Sequence, residues 1–217
     1  MSRRFADRRD AGRALAAALR DDVGRDPVVL GLPRGGVVVA AEVAAALGAP
    51  LDVVLVRKLG FPGQPELAMG AIAGAGDAVE TVRTPVAVRG GEAAFAAVRE
   101  RELTELRRRE DTYRAGHEAV PLAGRAVVIV DDGLATGATM RAAVAAVRRQ
   151  GPASLSVAVP VGSARACDEL RPDVDRVVCL QLPNSFRAVG QAYRDFAATA
   201  DDEVVAALDA ARARDRR

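Results

Sequence analysis

The densest concentration of groups able to do chemistry is one nine-residue run, Asp131-Asp132-Gly133-Leu134-Ala135-Thr136-Gly137-Ala138-Thr139. It follows directly on Ala126-Val127-Val128-Ile129-Val130, an apolar run suited to a buried strand, and a helical pattern continues from Gly137 to Arg149. In an open parallel sheet the ligand crevice lies at the carboxyl ends of the strands, which is where these acids are expected. Two adjacent carboxylates suit a pair of vicinal hydroxyls, or the water shell of a Mg²⁺ ion. Gly137 lets the backbone approach a ligand closely. The helix behind it aims unpaired amides and the positive end of its dipole at an anion, and Thr136 and Thr139 add hydroxyl donors. A ribose 5-phosphate would satisfy both halves; the alternative is a strand whose acids do no more than cap the next helix.

Such groups need a scaffold, and the periodicities supply one. Apolar residues recur at helical spacing from Ala6 to Arg20, Val37 to Leu47, Ser163 to Leu170 and Asp201 to Ala213. Between them stand Val-, Leu- and Ile-rich runs at Pro27 to Leu32, Leu51 to Val56, Leu67 to Ala73, Ser154 to Pro160 and Asp175 to Leu182. Strands that are apolar throughout belong to a sheet covered on both faces, and their alternation with helices makes that sheet mostly parallel. The expected fold class is therefore α/β, a mostly parallel sheet with helices on both faces, in a single domain over 1–217. Pro33-Arg34-Gly35-Gly36 reads as a tight turn between the first strand and its helix, and Lys58 to Pro65 as a loop between two strands. Residues 92–114 place acids and bases for i,i+3 and i,i+4 pairing, which predicts an exposed charged helical insertion. Pro183 to Ala198 has no clean period yet holds Phe186, Tyr193 and Phe196 of a chain that is only 3% aromatic, which suggests a lid or ligand wall.

With 217 residues, half of them apolar and 28% charged, the chain can fill one core and is no acidic disordered tail. No apolar run approaches the roughly 18 residues that span a bilayer, so no membrane partner is expected. Met1 to Asp10 begins basic, but acids interrupt it and no apolar core follows, so the chain reads as cytoplasmic. A net charge of +2 argues against a nucleic-acid partner. The glutamates among Arg99 to Glu110 cancel the local field, and Arg212, Arg214, Arg216 and Arg217 read as a solvated terminus. Cys167 and Cys179, with His117 the single histidine, support neither a zinc site nor a disulfide framework and read as reduced, buried thiols. Lys58 is the single lysine among 31 basic residues, which favours a function for it over a solvated charge.

The strand ending in Asp131-Asp132 and the run Ala135-Thr136-Gly137-Ala138-Thr139 resemble the phosphoribosyl pyrophosphate (PRPP) motif of type I phosphoribosyltransferases. The resemblance implies that Asp131 and Asp132 hold the ribose 2- and 3-hydroxyls and that Ala135, Thr136, Gly137, Ala138 and Thr139 bind the 5-phosphate. It implies a Mg²⁺ ion held mainly by PRPP, with contact through water to Asp131 and Asp132. Leu32-Pro33-Arg34-Gly35-Gly36 is similar to the family's pyrophosphate loop, which adds Arg34, Gly35 and Gly36 to the PRPP site. Arg57-Lys58, followed by Leu59 to Leu67, resembles the flexible catalytic loop, so Arg57 and Lys58 would bring cations to the leaving group. The likeness runs from about Phe5 to Phe196 and is strongest to bacterial proteins with this domain.

The run Gln181 to Gly190 resembles the hood of the hypoxanthine-guanine enzymes, making 181–198 the hood and acceptor segment, with Gln181, Phe186 and Val189 as acceptor residues. Two departures matter. The family's oxo-reading lysine is Gln181 here, which both donates and accepts, and its acidic proton acceptor is Ala135, as in adenine-type loops. The expectation is thus a Mg²⁺-dependent phosphoribosyltransferase acting on PRPP and a small nitrogen acceptor, with no general base identified and a homodimer left open. The competing reading is a non-catalytic protein that senses PRPP or a nucleotide through the same pocket; the lack of a helix-turn-helix appendage and the Lys58 loop favour catalysis.

Overall fold

The computed structural model describes residues 4–20, 23–75 and 78–216, so Met1, Ser2, Arg3 and Arg217 lie outside the described residues. Five strands, β1 (Pro27–Gly31), β2 (Leu51–Val53), β6 (Ala126–Val130), β7 (Ser154–Val161) and β8 (Arg176–Gln181), form a parallel sheet in the order β2-β1-β6-β7-β8. The helices are α1 (Arg8–Leu19), α2 (Gly35–Leu47), α5 (Ala138–Arg148), α6 (Ala164–Leu170) and α7 (Asp201–Asp215), with α3 (Val86–Gly90) and α4 (Glu92–Arg114) beside a second sheet.

Strand alternation explains why the apolar runs are continuous. Val29, Val128 and Val130 join Leu15, Leu19, Val39, Val43 and Leu208 in one core. Val28, Leu30, Val127 and Ile129 face the other way, onto Met140, Val144, Val147 and Leu170. Each central strand thus buries both faces, as its composition requires.

Three expectations need correction. The apolar run Leu51 to Val56 is not one strand. It breaks at Val54, whose amide donates to the Gly31 carbonyl at 3.2 Å, and resumes as β3 (Leu55–Phe61) in a separate sheet. Lys58 to Pro65 is not an open loop. β3 pairs antiparallel with β4 (Gln64–Ala75) around a turn at Pro62 and Gly63, and β4 pairs with β5 (Ala78–Arg83), because Gly and Pro here serve the turn while the flanking residues complete a ladder. Finally, α4 is not simply exposed. Phe95, Val98, Leu103, Leu106 and Tyr113 are buried along it, against β3, β4 and α7, because the ion pairs on its solvent side hide an apolar stripe on the other.

Of the C-terminal basic residues, Arg212 and Arg214 belong to α7 and Arg212 pairs with Asp209 at 3.1 Å, while Arg214 and Arg216 are exposed, as a solvated terminus would be. Cys167 is buried and Cys179 half-buried, and both are free thiols. No helix among the described residues is long and apolar enough to cross a membrane.

Candidate active site at the carboxyl edge of the sheet

Val130 ends β6, and the chain leaves the sheet edge at Asp131 and Asp132. The Asp131 carboxylate turns back to accept the Asp132 amide at 2.8 Å. Burial, followed by the neighbouring Asp132, pushes the Asp131 carboxyl well above the usual range. Burial raises Asp132 too, against the pull of Arg8, whose Nε donates to Asp132 Oδ2 at 2.8 Å. Asp132 is therefore not a bare acceptor: an arginine from the first helix holds one of its two oxygens. Tyr193 Oη donates to the Asp132 carbonyl at 2.6 Å, fixing the backbone at the same point.

The loop that follows is held from the next strand. Leu134 bridges Gly162, the Ser163 amide donates to the Leu134 carbonyl at 2.9 Å, and Ser163 Oγ donates to the Ala135 carbonyl at 2.8 Å. Gly137 takes φ +75°, a left-handed conformation that glycine adopts without strain, and α5 starts immediately after it. Ala135, Thr136, Ala138 and Thr139 are exposed around this helix end. A cleft of about 430 Å³ against β3 and α4 is lined by Arg57, Lys58 and Glu102, while one of about 370 Å³ opens beside Ala135 and Thr136 with Arg141 and Arg165 on its rim, both paired to Glu169.

The turn after β1 is seated against the two acids. Its Pro33–Arg34 peptide is cis, and the Leu32 amide donates to the Val130 carbonyl at 2.9 Å. A Cβ at Gly36 would fall 2.8 Å from Asp131 Oδ1, and one at Gly35 would overlap Asp132 Oδ2, so only glycines allow this approach. Arg34 is exposed at the start of α2. Residues about 100 positions apart in sequence, expected to serve one ligand, thus share one edge.

The phosphoribosyl transferase domain model matches residues 6–196. The chain belongs to the phosphoribosyl transferase family. It is 52% identical over 210 residues to the protein named "Putative phosphoribosyl transferase MT0597" from Mycobacterium tuberculosis (strain CDC 1551 / Oshkosh), covering 95% of this chain and 47% of that one. The same identity and coverage relate it to a protein of that description from strain H37Rv. The chain thus spans about half the length of the curated relatives it matches. Among solved structures, TT1426 from Thermus thermophilus is 48% identical with a TM-score of 0.81, covering 94% of this chain and 97% of that one.

Of the two cations expected on a catalytic loop, one is engaged within the fold. Arg57 donates through Nε and Nη2 to Glu102 Oε2 at 3.0 and 2.6 Å, while Arg101 takes the other oxygen, Oε1, at 3.1 and 3.0 Å. Glu102 is buried on α4, so Arg57 ties the β3–β4 hairpin to that helix. Lys58, the next residue of β3, is exposed, and both residues line the cleft against β3 and α4. Of the two, Arg57 is thus already committed to a partner within the fold.

The hood begins where β8 ends, at Gln181. Phe186 and Val189 pack, with Phe196, onto a small core of Phe5, Ala11, Val161, Ala192 and Tyr193, so Phe186 is partly engaged in holding the hood. Val189 occupies the space a side chain at Gly133 would fill, which brings the hood against the PRPP-like loop. The hood is also tied to the N-terminal segment: the Phe5 amide donates to the Ala192 carbonyl and the Arg194 amide to the Phe5 carbonyl, both at 2.8 Å.

Sequence reasoning missed Arg8, Glu102 and the part of Tyr193 that fixes Asp132. In the sequence Tyr193 stands out only as one of a few clustered aromatics. Arg8 carries one legible signal, a cation in the first turn of a helix, where the dipole disfavours it.

Proposed function

We propose that this chain transfers the 5-phosphoribosyl group of PRPP to a nitrogen acceptor, a purine-like base being the first candidate, and releases pyrophosphate. The observation that carries this reading is the seating of Gly35 and Gly36 directly against Asp131 and Asp132. A turn suited to a diphosphate, two acceptors suited to vicinal hydroxyls and a helix start suited to a 5-phosphate then lie at one edge. PRPP carries those three groups on one sugar.

In the proposed reaction the acceptor nitrogen attacks C1 as the C1–O bond to pyrophosphate breaks, with inversion, and any proton on that nitrogen is lost. Positive charge develops on the ribose and negative charge on the leaving group, so the protein's task is to hold the sugar and stabilise charge. Asp131 and Asp132 would orient the ribose, Thr136 and Thr139 the 5-phosphate, and Arg34 and Lys58 the pyrophosphate. Gln181, Phe186 and Val189 would border the acceptor. Among the described residues no group of three or more His, Cys, Asp or Glu could hold a metal ion, and the donors at this edge are two carboxylates, a set that fits a Mg²⁺ brought by the pyrophosphate and met through water by Asp131 and Asp132. Such an ion would neutralise the leaving group.

A pyrophosphate-release assay with PRPP, Mg²⁺ and a panel of nucleobases and amines tests this reading, with turnover expected for at least one acceptor. PRPP plus Mg²⁺ should also raise the melting temperature more than either alone, and equal shifts in EDTA would contradict the metal's part. Arg57's commitment to Glu102 favours a second reading, a PRPP sensor, which binding without turnover of any acceptor would support.

A further inference from the structure

Arg8 opens α1, yet it serves nothing in its own helix. The acids beside it are engaged with backbone: Asp7 accepts the Asp10 amide at 2.8 Å and Asp10 accepts the Ala6 amide at 2.9 Å. Its guanidinium instead crosses to the sheet edge, with a side chain only 12% exposed. There Nε donates to Asp132 Oδ2 at 2.8 Å, Nη1 donates to the Ala197 carbonyl at 2.7 Å, and the guanidinium carbon lies 3.9 Å from the centre of the Phe196 ring. A Cβ at Gly35 would sit 2.6 Å from Nε, so the ion pair fills the hollow left by that glycine's missing side chain.

Four segments therefore meet at one cation: the first helix, the turn at 33–36, the acid pair and the C-terminal side of the hood. We infer that Arg8 is a positioning residue for PRPP, which locks the Asp132 carboxylate against the Gly35 turn and thereby sets the spacing between the ribose and pyrophosphate sites. This inference rests on the proposed reading of the site. The local conflict of a cation at a helix start is resolved only by that long-range contact, as expected where function rather than local stability sets a residue. Arg8 also supplies countercharge: without it, two partly buried carboxylates would face a polyanionic ligand. The hood is coupled to the same point, because Phe196 and Ala197 hold the guanidinium from the other side.

The test measures PRPP affinity by calorimetry, and KM for PRPP and for the acceptor, in Arg8→Met, Arg8→Lys and Phe196→Leu. Arg8→Met should weaken PRPP binding by about tenfold or more and raise KM for PRPP while leaving KM for the acceptor within about twofold. Arg8→Lys keeps the charge but not the fork, so it should recover most of that loss. Phe196→Leu should cost about twofold. If Arg8→Met does not fold, Arg8→Gln, which keeps a donor for Asp132 without the charge, replaces it with the same expectation. A folded, uncharged variant that binds PRPP as the unaltered protein does would overturn the inference. So would equal losses of affinity and melting temperature in the lysine and uncharged variants, since a mere brace behaves that way. If the unaltered protein fails to bind PRPP, the reading of the site falls and this inference with it; binding indifferent to Arg8 removes the inference alone.

Discussion

The loop at 131–139 and the hairpin of β3 and β4 both carry residues expected to act on PRPP, but they are built differently. In the loop a buried strand runs straight into two acids, a glycine turn and a helix start, so the residues expected to act follow one another at one end of the sheet. In the hairpin, consecutive residues differ in commitment although they line one cleft: Arg57 is drawn to Glu102 on α4, while Lys58 is exposed. A strand-to-helix turn can gather neighbours in sequence onto one ligand, whereas on a strand one neighbour can be committed to a distant element of the fold while the next is left exposed. Adjacency is thus good evidence of a shared role in the first case and poor evidence in the second.

The largest effect is expected in the loop. Replacing both acids, Asp131→Asn with Asp132→Asn, removes two charge-assisted hydrogen bonds of about 1.5–3 kcal/mol each and should lower PRPP affinity by several hundredfold or more in calorimetry. Unchanged affinity would detach this loop from the sugar. The same acids should cost stability. Burial raises both carboxyls, so the folded chain holds these protons more tightly than the unfolded chain. Their contribution is full below about pH 3.9 and is lost as pH rises through the raised values. Asp131→Asn alone, fixed in a neutral form, should therefore melt higher at pH 7 in a thermal-unfolding measurement, while binding PRPP more weakly.

The hairpin should respond in kind but not in place. Lys58→Ala is expected to lower kcat by roughly 10- to 100-fold, less than a fixed oxyanion donor costs, with PRPP affinity nearly retained. A pure KM effect would make Lys58 a simple binding residue. Glu102→Gln should instead cost about 1–3 kcal/mol of stability, because Arg57 loses a partly buried partner, and leave PRPP affinity unchanged. Arg101 on the other oxygen is 70% exposed and should add little to that loss. If Glu102→Gln abolished PRPP binding in a stable protein, Arg57 would belong to the site after all. The smallest effect is expected in the hood, where Phe186→Leu should weaken the acceptor by about 0.5–1.5 kcal/mol and leave PRPP untouched. A loss of melting temperature alone would show that the ring serves only the hood core.

The parallel sheet, its helices and the family were legible because their signals are local: apolar period, glycine turns and a nine-residue motif are written in consecutive residues. So was the convergence of the turn at 33–36 with the loop at 131–139, since both follow strands whose carboxyl ends share an edge. The second sheet was harder to see, because the glycines and prolines of Lys58 to Pro65 suit a loop and a hairpin equally, and only pairing with β4 decides between them. The apolar stripe of α4 was masked by charges that pair along the helix itself.

By itself, then, the sequence determined the fold class, the placement of the acid pair and the glycines that let a turn approach it, because steric allowance and hydrophobic periodicity act within a few residues. Tertiary structure alone decided which charges distant in sequence meet. Arg57 finds Glu102 across 45 positions and Arg8 finds Asp132 across 124, contacts that no local pattern encodes. They form because a buried charge is costly until an opposite one is brought beside it, and only the folded chain can bring it there.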